Sequence, residues 1–414
     1  MSKARRKRRN KSEDSETKAK RRGASMFFKD SYDVIVVGAG PAGCVAAKEL
    51  ASFGFDVLLL DRAQEIGVPK ETGEGISEGA IKRLGLKVPD YCIAWRVNCS
   101  RIYAPNGSYV ELKGNGVILE MKRFVKWLAC EAALAGARVC CKCFVHDVLK
   151  DEQGFVSGVK FRWMGEEKEA RAKLVIAADG VESLVAKKAG LNTTCSPYLV
   201  DAGVQYEMAN IDIEEPRRIE IYLGNQTAPR GYVWIFPKGE KIANVGVGIA
   251  GNRVEVAKRY LDAFIKTREW LRKGSIIEVN AGCIPVGGFL KDMVLDGLIV
   301  VGDAAHQVNP LHGGGIAEAM HAAKIAASVA KKALEKGDVS KDVLKEYNEL
   351  WWKERGTYLK KAERARELLE KLSDEDLNKL ASVITGEDIY KITHGDIATL
   401  IKLLLKFGIK KLKG

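Results

Sequence analysis

Three aromatic side chains recur at every second position of the stretch from Pro229 to Pro237, PRGYVWIFP. This spacing places Tyr232, Trp234 and Phe236 on one face of a β-strand, because successive side chains of a strand point to opposite faces. The stretch predicts an aromatic wall over a ligand, and the alternative is an ordinary hydrophobic sheet face.

A glycine-rich loop is the second candidate for chemistry. The apolar run 298–301 ends in Gly302-Asp303, and HGGGI at 312–316 then opens a helical segment. A helix N-terminus preceded by three glycines exposes unpaired N–H groups. The loop therefore predicts a site for an anion or for a developing negative charge.

Residues 32–62 form a complete β-α-β unit for a dinucleotide, in which GAGPAG at 38–43 follows an apolar run and a second apolar run ends on Asp61. Gly38 permits the tight turn, Gly40 lets the backbone approach a pyrophosphate, and Gly43 allows helix and strand to pack closely. The carboxylate of Asp61 can accept hydrogen bonds from ribose hydroxyls. A second pattern of this spacing, 246–251, has no acid at the expected distance, and we interpret it as a glycine-rich strand that allows a close approach.

The net charge of +13 comes from the two ends of the 414-residue chain. Residues 1–30 contain 12 Lys/Arg and four Asp/Glu, and residues 401–414 contain five lysines and no acid, so the segment 31–400 is neutral. The first 30 residues are predicted to be a disordered basic arm, which is either a nucleic-acid or membrane arm or an extension ahead of a true start at Met26. The stretch 397–413 predicts an amphipathic basic helix that lies on an anionic bilayer or packs on the protein.

Nine cysteines occur without a secretory signal, and no run of 18 uncharged apolar residues is present. We expect a cytoplasmic protein with free thiols and no transmembrane helix. Cys140, Cys141 and Cys143 lie on one predicted strand, 139–148, and are interpreted as buried small residues rather than metal ligands. No metal site is predicted.

Four pieces of the sequence occur in the order of a known flavoprotein fold. The β-α-β unit, Arg123 on a predicted helix, Asp179-Gly180 after an apolar strand, and Gly302-Asp303 before the glycine loop resemble the FAD-dependent fold of the p-hydroxybenzoate hydroxylase type. Within that fold, the loop GEGI at 73–76, the aromatic stretch and Asn309-Pro310 resemble the geranylgeranyl reductases. The resemblance is greatest to the branch that saturates isoprenoid double bonds of archaeal membrane ether-lipid precursors.

The resemblance implies an α/β fold in three parts. A Rossmann-like FAD-binding domain takes residues 31–92, 114–192 and 291–335, and an antiparallel-sheet substrate domain takes 93–113 and 193–290. Residues 336–414 form a helical C-terminal region.

The resemblance also implies the residues of the site. Asp303 is expected to bind the ribityl chain of FAD, and the helix after the glycine loop to face the flavin pyrimidine edge. Many relatives carry a cysteine where this chain has Thr72, so no thiol role is transferred to that loop. Tyr232, Trp234 and His312 are the expected catalytic residues, and the expected substrate residues are Tyr232, Trp234, Phe236, Tyr358 and Lys361. The expected FAD residues are Gly38, Gly40, Ala42, Gly43, Asp61, Arg62, Thr72, Gly73, Gly75, Arg123, Val145, Asp303, Gly315 and Ile316.

The implied reaction adds a proton and a hydride to an isolated alkene. Protonation gives a tertiary cation, which each aromatic face stabilises by ~1 to 2 kcal/mol when desolvated. The sequence leaves the proton source open among His312, Tyr232, Glu74 and a bound water.

The expected partners are a prenyl glycerophospholipid, an external electron donor such as NADPH or ferredoxin, and a membrane surface contacted peripherally, without nucleic acid. One alternative function is a flavin-dependent monooxygenase or halogenase of an aromatic substrate, since Tyr232 to Pro237 partly matches a halogenase stretch. The other is a non-enzymatic flavoprotein tethered by its basic ends.

Overall fold

The computed structural model describes residues 27–251 and 253–406. Most of the predicted basic arm and the last seven residues of the predicted amphipathic helix, 407–413, lie outside these ranges. The described strands are β1 (Ser31–Val37), β2 (Val57–Leu60), β3 (Gly75–Ser77), β4 (Ile93–Tyr103), β5 (Tyr109–Leu119), β6 (Arg138–Cys140), β7 (Cys143–Lys150), β8 (Val156–Trp163), β9 (Glu166–Ala177), β10 (Val200–Ala209), β11 (Arg218–Tyr222), β12 (Tyr232–Pro237), β13 (Ile242–Ala250), β14 (Ser275–Pro285), β15 (Val294–Leu295) and β16 (Leu298–Val300).

Thirteen α-helices are described between and after these strands. They are α1 (Pro41–Ser52), α2 (Glu78–Arg83), α3 (Met121–Leu134), α4 (Leu184–Ala189), α5 (Val254–Lys266), α6 (Glu269–Arg272), α7 (Ile316–Lys336), α8 (Lys341–Leu344), α9 (Glu346–Trp351), α10 (Thr357–Leu369), α11 (Asp374–Ala381), α12 (Gly386–Thr393) and α13 (Ile397–Lys406).

The first sheet confirms the predicted Rossmann-like α/β fold. Its strand order is β15-β16-β9-β1-β2-β6, and β8 extends it by pairing with β9 and β7. Strand β1 pairs in parallel with β2 on one side and β9 on the other, and α1 crosses from β1 to β2. The apolar runs predicted around the glycine turn are buried strands, as expected of a parallel sheet whose two faces are covered.

The prediction of one strand over 139–148 is wrong. Strand β6 ends at Cys140 in parallel pairing with β2, and β7 begins at Cys143 in antiparallel pairing with β8. Lys142 has a left-handed φ of 55°, and its N–H donates to the carbonyl of Ala63, so the chain turns there. The three cysteines therefore do not share a strand. All three are free thiols, and no cluster of metal-ligating side chains occurs within the described ranges.

The second sheet has the order β14-β10-β13-β12-β11-β4-β5-β3 and is antiparallel except between β11 and β4. The sheet curls until β3, at its edge, approaches β12. The closeness of the two strands is shown by Gly75, where an added Cβ would lie 3.2 Å from Cε2 of Phe236. The sheet therefore encloses an inner groove. Strand β3 and all of β5 to Leu119 belong to it, although residues 75–77 and 114–119 fall in segments predicted for the FAD-binding domain.

The C-terminal helices cover one end of this groove. Trp351 is fully buried and packs against Phe289, so it belongs to the core.

In α13, Leu400 and Leu404 are buried in an apolar cluster, which fits the packed-helix alternative for the described part of that segment. Leu405 is 61% exposed on the same helix. None of the helices in the described ranges has the length and apolar character needed to cross a bilayer.

Candidate active site

One cavity of about 1480 Å³ lies between the two sheets and the C-terminal helices. It joins the glycine turn after β1, the loop 67–77, the inner face of the curled sheet and the glycine loop before α7. Most of the residues predicted for the site line it, namely Gly38, Gly40, Ala42, Asp61, Arg62, Thr72, Gly73, Gly75, Val145, Tyr232, Trp234, Phe236, Asp303, His312, Gly315, Ile316 and Tyr358.

Three predicted residues do not line the cavity. Gly43 lies beneath the turn, where a Cβ would come within 1.8 Å of the Gly38 carbonyl oxygen, so its glycine is required for packing. Arg123 lies in the first turn of α3 and Lys361 in α10, and both are exposed outside the cavity. The contacts predicted for Arg123 and Lys361 stay predictions.

The turn after β1 leaves a helix N-terminus open to the cavity. Helix α1 begins with Pro41 and has no side-chain cap at Gly40. Gly38 has a φ of +96°, and a Cβ there would lie 2.3 Å from the Ala178 carbonyl oxygen. The carboxylate of Asp61 accepts the N–H of Ala39 at 2.6 Å and therefore lies against this turn. These groups can hold a pyrophosphate and an adjoining ribose.

Asp303 and the glycine loop 312–316 also line the cavity that the turn after β1 opens into. Burial and the negative charge of Glu71 raise the pKa of Asp303 to about 6. A Cβ at Gly315 would lie 3.2 Å from Oδ1 of Asp303, so the loop passes directly over the carboxylate. Helix α7 begins at Ile316 without a side-chain cap, and its first N–H groups can stabilise negative charge.

The three aromatic residues of β12 line the cavity together. The ring centroids of Tyr232 and Trp234 are 5.9 Å apart, and those of Trp234 and Phe236 are 6.3 Å apart. The indole N–H of Trp234 donates to Oε1 of Gln205 at 2.9 Å. Gly246 on the neighbouring strand β13 makes room for the indole, because a Cβ there would lie 2.3 Å from the Trp234 ring. The second glycine pattern is thus the close-approach strand that we expected.

The side chain of His312 also lines this cavity. Its Nδ1 accepts the N–H of Gly314 at 3.2 Å, which places the ring proton of the neutral imidazole on Nε2. Burial lowers the pKa of His312. Tyr232, in contrast, donates its hydroxyl proton to the His312 carbonyl at 2.6 Å, and burial together with Asp201 raises the pKa of Tyr232.

Tyr358 is tied to the glycine loop through Asn309. The Asn309 side-chain amide donates to the Tyr358 hydroxyl at 3.0 Å, and that hydroxyl donates to the Thr393 carbonyl at 2.5 Å. The tyrosine therefore fixes the C-terminal helices against the loop that carries His312.

Beneath the loop 67–77 lies a buried charge cluster, defined here as Lys70, Glu74, Glu207 and Lys238. Nζ of Lys70 is 3.0 Å from Oε2 of Glu74 and 2.7 Å from Oε2 of Glu207. Nζ of Lys238 is 3.2 Å and 2.9 Å from the same two carboxylates. Burial lowers the pKa of Lys238, but the neighbouring carboxylates raise it by more, so the net effect is a raised pKa.

Glu74 is fully enclosed by hydrogen-bond donors. Oε1 accepts the N–H of Met121 at 2.9 Å, and Oε2 accepts from Lys70 and from the side-chain amide of Asn244 at 2.5 Å. Its own φ is +73°, an unusual conformation for a glutamate. With both oxygens occupied as acceptors, Glu74 anchors the loop and is poorly arranged to deliver a proton.

An apolar channel continues from the aromatic wall, and the sequence analysis did not identify it. The inner faces of β4, β5 and β11 form one side of it, and the C-terminal helices close its far end. The only sequence signal for the channel was the alternation of apolar and polar residues at 218–222 (RIEIY) and 109–112 (YVEL). Alternation does not indicate that the apolar face of these strands is covered by helices that follow residue 369. Representative lining residues are Ile102, Val110, Ile221, Leu377, Ile384 and Leu400.

Comparison with known proteins identifies the family. The family model for the geranylgeranyl reductase catalytic domain matches residues 200–284, and that for an NAD(P)-binding Rossmann-like domain matches residues 36–72. Digeranylgeranylglycerophospholipid reductase 2 of Methanopyrus kandleri is 42% identical over 371 residues, which cover 88% of this chain and 93% of that protein. The chain belongs to the geranylgeranyl reductase family.

Solved structures agree with membership of the geranylgeranyl reductase family. A geranylgeranyl bacteriochlorophyll reductase-like protein from Thermoplasma acidophilum superposes with a TM-score of 0.84 at 36% identity, covering 91% of this chain and 96% of that one. The myxobacterial chondrochloren halogenase has a TM-score of 0.68 at 20% identity, covering 93% of this chain and 91% of its own, and shares the fold alone. This family member is an oxidoreductase whose Rossmann-like domain binds a dinucleotide.

Proposed function

We propose that the chain binds FAD and saturates C=C bonds of geranylgeranyl chains in prenyl glycerophospholipids, the precursors of archaeal membrane ether lipids. The observation that carries this proposal is that one continuous cavity joins a dinucleotide turn and a glycine loop to an aromatic wall and an apolar channel. The name of the Methanopyrus kandleri relative gives the same substrate class.

The residues present fit FAD. The open N-terminus of α1 suits the pyrophosphate, Asp61 the adenosine ribose, Asp303 the ribityl chain, and the N-terminus of α7 the flavin pyrimidine edge. When bound and reduced, FAD supplies a hydride.

The chain's own part in the reaction is to deliver a proton and to stabilise the charge that results. An isolated alkene accepts hydride only when it also gains a proton, and the developing tertiary cation would face Trp234 and Tyr232. His312 is our choice of proton donor, because it lines the cavity, whereas the Tyr232 hydroxyl already donates to the His312 carbonyl and both Glu74 oxygens already accept hydrogen bonds. The donating species is the imidazolium, whose lowered pKa makes it a stronger acid, and its formation requires Nδ1 to release the Gly314 N–H that it accepts in the neutral ring.

The function is tested by anaerobic turnover with chemically reduced enzyme and a digeranylgeranyl glycerophospholipid. We expect a mass gain of about 2 Da for each double bond reduced, and His312→Gln is expected to slow this gain while FAD stays bound. Substrate-coupled oxygen consumption without loss of alkene signals would instead indicate a monooxygenase.

The binding of FAD is expected to depend on pH through Asp303. Ribityl hydroxyls that donate to the carboxylate favour its ionised form, whereas burial and Glu71 hold its pKa at about 6 in the cofactor-free protein. Affinity should therefore rise as pH increases to about 6 and then level off. Fluorescence titration of the cofactor-free protein with FAD measures the profile. Asp303→Asn should bind FAD more weakly and with a flatter profile, and an unchanged slope in that variant would contradict the assignment.

The proposed enzyme receives its electrons from an external donor, NADPH, ferredoxin or another carrier, and works in the cytoplasm at the membrane surface. Leu405 and Tyr390 support the membrane contact, because they are 61% and 53% exposed on the helices that close the apolar channel. Sedimentation with anionic vesicles measures this contact.

A further inference from the structure

A largely buried ion pair lies at the N-terminus of α7, directly after the glycine loop. The side chain of Glu318, in the first turn of this helix, is 8% exposed, and that of Arg355 is 19% exposed. Nε of Arg355 donates to Oε2 of Glu318 at 2.8 Å, and a terminal guanidinium nitrogen donates to Oε1 at 2.5 Å. Such a bidentate contact fixes the orientation of both groups. Both residues line the cavity.

A π-helical turn places Arg355 against α7. The turn comprises Trp352–Gly356 and joins α9 to α10. It directs two consecutive side chains toward α7, because Oε2 of Glu354 lies 2.8 Å from Nε2 of His321 while Arg355 contacts Glu318. Consecutive residues of a regular α-helix do not share a face, and single π turns are frequent at functional sites.

Two further contacts fix the position of Arg355. A Cβ at Gly356 would lie 2.5 Å from the Trp352 ring, so the π turn requires a glycine there. The guanidinium carbon of Arg355 lies 4.6 Å from the centroid of the Tyr358 ring, and the Tyr358 hydroxyl accepts from Asn309. Arg355 is thus held against the helix end that is proposed to face the flavin.

The charge of Glu318 opposes the function proposed for this helix end. A reduced flavin carries negative charge, which a carboxylate in the first turn of the same helix would repel. The influence of this carboxylate on the cavity is indicated by His312, because burial lowers the pKa of His312 whereas the charge of Glu318 raises it. The guanidinium of Arg355 supplies the compensating positive charge.

We propose that Arg355 is a positioning residue, which holds and neutralises Glu318 so that the N-terminus of α7 stays electropositive toward the reduced flavin. This inference rests on the proposed function for the presence of FAD. Through Glu318, Arg355 also sets the charge that acts on His312. If the ion pair only fastened the C-terminal helices to α7, losing either partner would have the same effect, whereas a role in charge gives the two losses opposite effects.

The test removes each partner separately and measures how the holoenzyme discriminates between reduced and oxidised FAD. Arg355→Met leaves Glu318 unpaired and is expected to lower the affinity for reduced FAD, relative to oxidised FAD, by about 5- to 10-fold. Glu318→Gln leaves Arg355 unpaired and is expected to raise the same ratio by a similar factor. For a two-electron couple these changes shift the reduction potential of bound FAD by about 20 to 30 mV, downward and upward respectively. Spectroelectrochemical titration measures the potentials.

The titration of His312 is a second measurement, which needs no FAD. In the cofactor-free protein, Arg355→Met should raise the pKa of His312 and Glu318→Gln should lower it, because each variant leaves one charge uncompensated. NMR of the histidine ring protons measures the shift, and the signal is assigned by its loss in His312→Gln. His394 also lowers the pKa of His312 and is the same in both variants.

Glu354→Gln is the matched control, because Glu354 lies on the same π turn but is 45% exposed and does not line the cavity. It should change neither measurement, and the double variant of Arg355→Met with Glu318→Gln should return both close to wild type. Changes of the same sign in the two single variants, or no change in either, overturn the proposal while leaving the proposed function intact. Opposite shifts of the His312 pKa in a protein that binds no FAD support the neutralising role of Arg355 and contradict the proposed function.

Discussion

Trp234→Ala is expected to lower kcat on a prenyl substrate by about 10- to 30-fold. The indole lies between Tyr232 and Phe236 in the cavity wall, and a desolvated aromatic face stabilises a cation by up to about 2 kcal/mol. The loss should appear mainly in kcat, because the positive charge develops in the transition state and not in the bound alkene. Single-turnover rates of alkene reduction by chemically reduced enzyme measure the effect.

Trp234→Phe is the matched control for this prediction. It keeps a ring in the wall but removes the N–H that donates to Gln205, so it separates the aromatic face from the hydrogen bond. We expect Trp234→Phe to retain most of the wild-type rate. A wild-type rate in Trp234→Ala, or equal losses in the two variants, would contradict stabilisation by the ring.

Gly246 leaves the space that the indole of Trp234 occupies. Any side chain at this position would overlap the ring, since its Cβ would lie 2.3 Å from Trp234 atoms. The sequence predicted both halves of this arrangement separately, through the alternation of aromatic residues in β12 and a glycine-rich strand that allows a close approach. It did not predict that the two would meet, because the pairing of β12 with β13 was not predicted from the sequence.

Local sequence patterns were sufficient to predict the dinucleotide turn but not the apolar channel. The glycines and Asp61 of the β-α-β unit lie within 31 residues, and each conveys its role by spacing alone. The channel is assembled from β4, β11 and α13, which begin at residues 93, 218 and 397. Each contributes apolar side chains that would look the same in any core. The break at Lys142 was missed for a related reason, because alternation does not detect a left-handed residue that is not glycine.

The buried charge cluster is where sequence reasoning was least informative. Lys70 and Glu74 stand in a polar loop and Lys238 in a turn, positions at which charged residues are normally solvated. In the structure the side chains of Lys70 and Glu74 are 0% exposed. Their partner Glu207 lies 137 residues from Lys70 in the chain, so only the folded sheet brings them together.

Glu74→Ala is expected to lower the free energy of unfolding by about 3 to 5 kcal/mol. The substitution leaves Lys70 and Lys238 buried with one carboxylate fewer and removes the acceptor of the Met121 N–H. Removing one partner of a buried ion pair costs this much because the remaining charge loses its compensation. Urea unfolding of the protein with FAD removed measures the change. Glu65→Gln is the matched control, since Glu65 forms an exposed pair with Lys126 and its loss should have no measurable effect.

The double variant Lys70→Met with Glu74→Leu separates a charge effect from a packing effect. If uncompensated charge causes the loss, the double variant should lose less unfolding free energy than Lys70→Met and Glu74→Leu lose together as single variants. The reason is that the double variant removes a cation together with its anion. Strict additivity would contradict that cause, and a loss below about 1 kcal/mol in Glu74→Ala would contradict the anchoring role. Glu74 also holds the loop that carries Thr72 and Gly73 against Trp234 and Phe236, where a Cβ at Gly73 would lie 3.1 Å from the Phe236 ring. Glu74→Ala should therefore slow alkene reduction even under conditions in which the variant remains folded, because the loop that Glu74 anchors packs against the aromatic wall.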